Sequence, residues 1–351
     1  YWPSSPSNGP GIYGDSNERS QGDTHYWEVW HGGKPFSEYL TVLPRMSSEY
    51  GFQSVPSLET LAPVMEKDDF NIASPMIDYR QRSAIGNRAM VEHMMGEYLL
   101  PKDFEQFIYL SQVQQAMAMK IATEHWRRLL PINMGTMIWQ LNDIWPGNSW
   151  SSIEYGGKWK VLHSFSKRFF APLLISIAKN KDGIEVWVTH DGPNSFDDSF
   201  TLEVRDFQGN ILNQWSQRYQ IGPLESRPVF SIDYEGFRRI APLSELFVVL
   251  HRQGDPAFDW SLLDAAKHSP LRTPNIEVKT LVQDGATLIE LQTDYPAFHL
   301  WLDIPGRRGT YDDNGFVLLP DYPKRVIFEP KDDLGQVTAD QIRLYHLRGS
   351  F

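Results

Sequence analysis

The sequence contains no cysteine among its 351 residues. Disulfide bonds, thiolate metal sites, cysteine nucleophiles and iron–sulfur clusters are therefore all excluded. Basic residues are outnumbered, since 33 Lys and Arg stand against 44 Asp and Glu and the formal net charge is −11. No basic stripe offsets this balance, so neither nucleic acid nor an anionic membrane is an expected partner.

Long hydrophobic runs are also lacking. No apolar stretch approaches the roughly 18 residues that a membrane helix needs. The first residues include neither a methionine nor a charged-then-apolar leader, so we expect any targeting signal to have been removed or to lie upstream in a longer protein. Residues 1–23 are rich in Pro, Gly, Ser and Asn, which predicts a long loop and a first indication of a binding rim.

Aromatic residues, by contrast, are abundant: they form 13% of the chain, with 12 Trp. This rules out low-complexity disorder and favours surfaces that stack on the flat apolar faces of sugars. Up to about residue 170 the pattern alternates between strand and helix, which is typical of a parallel α/β unit. Its clearest helix is predicted from Asp103, a cap, to Leu129, with a buried apolar face that includes Phe107, Leu110, Val113, Met117 and Ile121.

A second regime begins at Pro172. Short alternating runs recur about every 10 residues and are separated by turn signals, a pattern typical of antiparallel sandwiches. The first series is 174–178, 184–189, 201–207 and 246–251, and the second is 276–282, 287–293, 298–304 and 326–330. We therefore predict two successive β-sandwiches, at residues 172–270 and 271–351.

Glu49 is the leading candidate for catalysis. It lies between small residues and Gly51, just after a short apolar run, where barrel enzymes place catalytic groups. A strand-like run from Thr24 to Gly33 is unusually dense in aromatics, and Trp139 ends another short buried strand. A carboxylate among aromatics suits a pyranose site, because indole stacks on the apolar face of the sugar and the carboxylate meets positive charge at the anomeric carbon.

Three segments resemble glycoside hydrolase family 2 β-mannosidases in particular. They are Ser48-Glu49-Tyr50-Gly51-Phe52-Gln53-Ser54, Gly22-Asp23-Thr24-His25-Tyr26-Trp27-Glu28-Val29-Trp30-His31-Gly32 and Trp139-Gln140-Leu141-Asn142-Asp143-Ile144-Trp145-Pro146-Gly147. The opening Tyr1-Trp2-Pro3-Ser4-Ser5-Pro6 and the late segments Tyr311-Asp312-Asp313-Asn314-Gly315-Phe316 and Leu318-Leu319-Pro320 are similar to the same family. The resemblance thus extends over nearly the whole chain.

The resemblance implies a multidomain fold: residues 1–171 would form the carboxy-terminal half of a catalytic (β/α)8 TIM barrel, followed by two immunoglobulin-like β-sandwiches. Strand six would be the run from His25 to Trp30, strand seven would end at Glu49 and strand eight at Trp139. The family is retaining and uses two carboxylates roughly 5 Å apart. Glu49 matches the nucleophile, whereas the acid/base glutamate is expected upstream of Tyr1, in the missing amino-terminal half.

The same resemblance implies further residues that bind the sugar. Trp139 would form the floor of the sugar-binding subsite. The alternative is that Trp139 only packs in the core at the rim of the barrel. His25, Trp27, Trp30 and His31 would line the site unless they pack against outer helices instead. Asn142 and Asp143 would contact a hydroxyl, although a helix N-cap explains either equally well.

Other chemistries find little support. Asn17-Glu18 has the dipeptide of the family's acid/base, but it lies in a Gly/Ser-rich loop only 31 residues before Glu49. No Gly-rich phosphate loop and no metal set is visible, because the 10 His are scattered. Asp182-Gly183 and the Asp312 to Gly315 stretch resemble turns rather than calcium loops. No cofactor and no metal are therefore expected.

Three functional hypotheses remain. The first is an exo-acting β-mannosidase that removes terminal mannose from a β-mannoside or manno-oligosaccharide. The second is another hydrolase of the family, acting on β-galactosides, β-glucuronides or β-glucosaminides. The third is a non-catalytic carbohydrate-binding or interaction module. The string from Ser48 to Ser54 favours the first over the second, and an upstream Asn-Glu after a strand would distinguish both from the third.

Overall fold

The structure is a computed structural model that describes Trp2, residues 4–252 and residues 255–351, without the side chains of residues 255–258. Tyr1 and Pro3 of the opening segment lie outside the described residues. Within its described residues, the first part of the chain contains three short strands and five α-helices. They are β1 (Thr24–His25), β2 (Ser47–Tyr50), α1 (Leu58–Leu61), α2 (Pro75–Tyr79), α3 (Gly86–Glu97), α4 (Phe104–Arg128), β3 (Thr136–Ile138) and α5 (Val161–Phe169).

The strands β1, β2 and β3 form a parallel sheet with β2 in the centre. His25 lies beside Glu49 in the register of β1 and β2, and Tyr50 lies beside Ile138 in that of β2 and β3. Parallel strands bring their carboxyl ends to the same edge of a sheet. The segments that follow β1, β2 and β3 therefore meet at one end, and this end carries the candidate site.

Helix α4 packs against the parallel sheet. Its amino-terminal cap is Asp103, whose Oδ1 accepts a hydrogen bond of 2.8 Å from the Gln106 backbone. Phe107 and Leu110 are buried in the core. The helix extends to Arg128, so the predicted helix is confirmed, as is the core role of its apolar face.

Polar side chains of α4 hold the chain that leaves β2. The Gln115 side chain donates to the Phe52 carbonyl at 2.9 Å and accepts from the Ser54 hydroxyl at 2.8 Å. Thr123 is hydrogen-bonded to the buried Tyr50 hydroxyl at 2.6 Å. These contacts satisfy polar groups that would otherwise be buried without partners, and they fix the backbone next to Glu49.

The expectation of a strand over the whole aromatic run is wrong, because β1 ends at His25. The backbone N–H of His31 donates to the Trp27 carbonyl at 2.7 Å, which folds residues 27–31 into a turn. This turn directs Val29 and Trp30 into the core, where neither has any exposed surface. Burial of two large apolar side chains therefore outweighs the local preference for an extended strand.

The remainder of the chain is built from antiparallel strands. Within the described residues, the first sandwich pairs a sheet β4-β5-β8 with a sheet β10-β9-β6-β7, and the short helix α6 (Tyr234–Arg238) follows β8. Its strands are β4 (Leu173–Lys179), β5 (Gly183–His190), β6 (Phe196–Asp206), β7 (Ile211–Ile221), β8 (Glu225–Asp233), β9 (Leu246–Arg252) and β10 (Asp255–Leu262).

The second sandwich pairs a sheet β11-β12-β16-β14 with a sheet β15-β13-β17 in the described part of the chain. Its strands are β11 (Ile276–Gln283), β12 (Ala286–Thr293), β13 (Ala297–Asp303), β14 (Gly309–Tyr311), β15 (Phe316–Leu318), β16 (Lys324–Pro330) and β17 (Arg343–Tyr345). The predicted pair of antiparallel sandwiches is confirmed, and each segment that the sequence pattern predicted lies in or overlaps a strand.

The three parts pack against one another. Arg205 of β6 is fully buried and donates to both carboxylate oxygens of Asp321 in the second sandwich, at 2.9 and 2.7 Å. The Arg168 guanidinium of α5 donates to Asp313 at 2.5 Å. The Asp313 carboxylate therefore joins the second sandwich to α5, whereas the Asp312 carboxylate accepts from the Ile327 backbone within the sandwich.

Candidate active site

Glu49 lies on the central strand of the parallel sheet, and 27% of its side chain is exposed. Its Oε2 atom accepts a hydrogen bond of 3.2 Å from the Trp27 indole Nε1. The same oxygen is 3.3 Å from Nδ1 of His25, the residue beside it in the register of the sheet. Among the described residues, the hydrogen bond from Trp27 and the ion-pair contact with His25 thus both fall on Oε2.

Gly51, two residues further on, allows three tryptophan-bearing segments to approach. A Cβ atom at this position would lie 2.3 Å from the Trp139 carbonyl oxygen, 3.0 Å from the Trp150 ring and 3.2 Å from the Trp27 ring. Such distances to backbone and ring atoms leave no room for a side chain. The absence of a side chain at Gly51 is therefore what brings Trp27 and Trp139 together beside Glu49.

Trp139 follows β3, and its backbone N–H donates to the Tyr50 carbonyl at 2.8 Å. The side chain is 42% exposed. An exposed indole offers a surface on which a sugar ring can stack. The structure therefore places the side chains of Trp27 and His25 against Glu49, and it places the backbone of Trp139 beside Tyr50, the next residue of β2.

Asn142 and Asp143 lie in the loop after Trp139, and neither caps a helix. The Asp143 carboxylate accepts hydrogen bonds from the hydroxyls of Ser149 at 2.8 Å and Ser151 at 2.5 Å. Asn142 is exposed and donates to the Asp143 carbonyl at 3.3 Å. Asp143 is therefore committed to holding its own loop, while Asn142 has a surface on which a ligand can bind.

Trp30 and His31 have different surroundings. Trp30 is completely buried, with its ring 4.8 Å from Phe52 and 5.9 Å from Trp150. Trp30 therefore packs in the core, which was the alternative to lining the site. A side chain without exposed surface cannot contact a sugar. His31 is exposed and lies 5.4 Å from the Trp27 ring. Of this pair, only His31 adjoins the site.

Behind His25 is a polar cluster that sequence reasoning missed. Asp23 is buried and accepts hydrogen bonds from the hydroxyls of Ser5, at 2.5 Å, and Ser48, and from the indole N–H of Trp2 at 2.9 Å. Burial by itself would raise the pKa of Asp23, but these hydrogen bonds outweigh it and hold the pKa below its ordinary value. The Gly22-Asp23-Thr24-His25 string carried the only sequence signal for this cluster, an acidic residue two positions before a histidine.

The loop before β1 borders the site. Both atoms of the Asn17 side-chain amide bind the His25 backbone, at 2.7 and 2.8 Å. Glu18 is half-buried, and both of its carboxylate oxygens accept hydrogen bonds from Ser20 near the surface. An open cavity of about 540 Å³ lies between this loop and the segment from Thr24 to Glu28. His25 and Trp27 line this cavity on the side of β1.

The described residues contain no group of three or more His, Asp or Glu arranged to hold a metal ion. In the same part of the chain, no helix combines the length and the apolar character needed to span a bilayer. The geometry around Glu49 provides one carboxylate, the N–H donor of the Trp27 indole and the Nδ1 atom of the His25 ring.

Known domain families match the two sandwich regions of the chain. A mannosidase Ig/CBM-like domain family matches residues 182–255, and an Ig-fold domain family named for mannosidases matches residues 271–350. Goat β-mannosidase is 30% identical over 357 residues that cover 93% of this chain, and the rat β-mannosidase is 38% identical over 347 residues that cover 90%. The similarity thus includes the segment with Glu49.

Solved structures show the same relationship. The chain resembles a β-D-mannosidase from Dictyoglomus thermophilum with a TM-score of 0.86 and 25% identity, over 99% of this chain and 42% of that one. An exo-chitosanase from Amycolatopsis orientalis shares the fold alone, with a TM-score of 0.68 and 14% identity over 97% of this chain and 46% of that one. The chain spans about two fifths of the length of the goat and rat relatives.

Proposed function

The chain is homologous to the carboxy-terminal portion of the β-mannosidases, and from this relationship we propose that it supplies part of the active site of a glycoside hydrolase acting on β-mannosides. The activity would belong to a longer protein, because the matched relatives are about two and a half times longer. The amino-terminal portion of that protein would be the partner that completes the site.

We further propose that residues 1–171 form the carboxy-terminal half of a (β/α)8 barrel, ahead of sandwiches at 172–270 and 271–351. The parallel order β1-β2-β3 supports this proposal, with the short 3-10 helix Phe36–Thr41 between β1 and β2 and helices α1 to α4 between β2 and β3. Barrel enzymes place catalytic side chains at the carboxyl ends of strands, and Glu49 and Trp139 lie at such ends. Strands β1, β2 and β3 would then be barrel strands six, seven and eight.

Glu49 is proposed to be the nucleophile of a retaining mechanism. The observation that carries this role is the convergence of Trp27 Nε1 and His25 Nδ1 on Oε2 alone. Two contacts on one oxygen fix the plane of the carboxylate and leave Oε1 to approach the anomeric carbon. Attack by Oε1 would form the bond to the anomeric carbon as the glycosidic oxygen leaves, and water would hydrolyse this covalent intermediate in a second step.

The surrounding side chains would bind the sugar ring. Trp139 offers an exposed indole for stacking, while Trp27, His25, His31 and Asn142 would face the hydroxyls. The acid/base glutamate would lie upstream of this chain. Glu18 is not proposed for that role, because its carboxylate is exposed and bound to Ser20 in a loop.

Replacing Glu49 with glutamine in the full-length protein tests the assignment. Glu49→Gln keeps the size of the side chain but removes its charge and most of its nucleophilicity, so turnover of p-nitrophenyl β-mannoside should fall by several orders of magnitude. Substrate binding should be largely retained, because Trp139 is unchanged. Glu18→Gln is the matched control and should stay within a few-fold of the wild type.

Covalent trapping provides an independent measurement. A 2-deoxy-2-fluoro-β-mannosyl fluoride slows the second step more than the first, so label should accumulate on the peptide that contains Glu49. Mass spectrometry of the tryptic digest locates the label. A label on another peptide, or undiminished turnover in Glu49→Gln, would refute the assignment and favour a binding module. Faster hydrolysis of β-galactosides, β-glucuronides or β-glucosaminides would instead refute the proposed substrate.

A further inference from the structure

We propose that Asp23 is a positioning residue for Glu49, and that it acts through the Ser5 hydroxyl and the His25 imidazole. The role as a positioning residue in catalysis rests on the function proposed above, whereas the proton arrangement described below does not. A continuous chain of polar contacts between the carboxylates of Asp23 and Glu49 supports the positioning role.

The contacts form a single path. Ser5 Oγ is 2.5 Å from Asp23 Oδ2 and 2.9 Å from His25 Nε2. The other ring nitrogen, Nδ1, is 3.3 Å from Glu49 Oε2. Asp23 is 5% exposed and is held by three further donors, the Ser48 hydroxyl, the Trp2 indole and the Ser7 backbone. The carboxylate at the far end of the path is therefore fixed in place.

The chemistry of these groups decides where the protons lie. An ionised carboxylate only accepts hydrogen bonds, so the Ser5 hydroxyl must donate its single hydrogen to Asp23. The Ser5 oxygen is then an acceptor toward His25, and Nε2 must carry a hydrogen. Hydrogen bonds hold the pKa of Asp23 below its ordinary value, although burial opposes them, so the ionised form is the relevant one near neutral pH.

The same reasoning applies at the other ring nitrogen. Nδ1 lies at an ion-pair distance from Glu49 Oε2, and an ionised carboxylate can only accept, so the proposed arrangement has a hydrogen on Nδ1 as well. A His25 ring that donates on both sides spans the two carboxylates and cannot rotate without losing one contact. Asp23 thereby fixes the orientation of the ring, and the ring together with Trp27 fixes the orientation of Glu49.

Four other charged residues line the cavity of about 540 Å³ that His25 also lines. They are Asp15, Glu18, Arg19 and Glu28. Hydrogen bonds in the described part of the chain join none of these side chains to the ring. A substitution at Glu18 therefore removes a carboxylate from the same cavity while leaving the path from Asp23 to Glu49 intact.

Replacing Asp23 with asparagine should reverse the donor and acceptor roles in the hydrogen bonds between residue 23, Ser5 and His25. The asparagine N–H group can donate to Ser5, which then donates to Nε2, so His25 keeps a hydrogen on Nδ1 only. The measurement is the protonation pattern of His25 at fixed neutral pH, from two-bond ¹H–¹⁵N couplings in the ¹⁵N-histidine-labelled 351-residue chain. His25→Gln identifies the resonance by its loss.

The wild type should show Nε2 protonated, and Asp23→Asn should lower the ratio of the Nε2-protonated to the Nε2-free form by about tenfold or more, because a hydrogen bond to a charged group is lost. Glu18→Gln should leave the pattern unchanged. The signals of the other nine histidines report whether each variant is folded. If Asp23→Asn does not fold, Ser5→Ala removes the acceptor at an exposed position and should shift the pattern in the same direction.

An unprotonated Nε2 in the wild type, or the same pattern in wild type and variants, would overturn the proposal. In the full-length protein, Asp23→Asn should lower kcat by about tenfold and change KM by less than twofold, because positioning affects the reaction more than binding. A changed tautomer with unchanged kcat would refute the positioning role. The NMR measurement needs no substrate, so it still tests the proton path if Glu49 is not the nucleophile.

Discussion

Replacing Gly51 with alanine tests the packing of the candidate site through a single methyl group. The new Cβ would lie 2.3 Å from the Trp139 carbonyl oxygen, whereas ordinary contacts begin at 3.4 Å. The backbone at Trp139 or at Glu49 must therefore move by about 1 Å to accept the methyl group. Trp27 and Trp150 close the other directions, at 3.2 and 3.0 Å, so the strain cannot be relieved by a small rotation.

A displacement of this size should affect rate more than stability. Misplacement of reacting groups by about 1 Å can cost about 10²-fold, so we expect kcat/KM of the full-length protein for p-nitrophenyl β-mannoside to fall by about that factor. Overpacking typically costs about 1–3 kcal/mol, which urea unfolding of the 351-residue chain would measure.

Gly96→Ala is the matched control. Gly96 lies in α3, is exposed, and has no atom within 4 Å of the position of a Cβ. Alanine there should stabilise the helix by about 0.5–1 kcal/mol and leave activity unchanged. Gly51→Ala with wild-type turnover and wild-type stability would show that the three tryptophan segments do not meet at this glycine.

Four further outcomes are expected. The isolated 351-residue chain should release no appreciable p-nitrophenol, because it lacks the proposed acid/base group, whose loss alone costs about 10²–10⁴-fold. Trp139→Ala should raise KM of the full-length protein in steady-state assays, because the stacking surface is removed. Arg205→Ala should lower the free energy of unfolding by roughly 3–5 kcal/mol in urea titrations, because Glu203 stays buried without this partner. Burial raises the pKa of Glu203, but hydrogen bonds from His251 and Arg205 outweigh it and hold the pKa below the ordinary value of 4.5. The free energy of unfolding of the wild type should therefore fall as the pH drops below about 4.5. Arg205→Ala should lose part of this pH dependence.

Local patterns were sufficient for the regular elements. Helix α4 follows from the Asp103 cap and the apolar spacing of Phe107, Leu110 and Val113, which depend only on neighbours in the chain. The sandwich strands follow from alternation, because successive side chains of a strand point to opposite faces. The Glu49 segment was likewise recognisable, because its residue string lies in one continuous stretch.

The aromatic run after Thr24 shows where local pattern failed. Its composition favours a strand, yet the chain turns after His25 because Val29 and Trp30 find a core against Phe52 and Trp150, residues distant in sequence. The same packing decided which predicted site residues are accessible: Trp30 is buried, whereas His31 is exposed.

The sequence by itself thus determined the main helix and the two sandwiches, since each depends on residues close together in the chain, and it singled out Glu49 as the candidate carboxylate. Only the tertiary structure decided what surrounds that carboxylate. Ser5, Asp23, His25 and Glu49 come from the opening loop and two neighbouring strands, and they meet because β1 and β2 pair in parallel with His25 beside Glu49. A hydrogen bond depends on distances of about 3 Å between atoms far apart in sequence, and no local pattern encodes such distances.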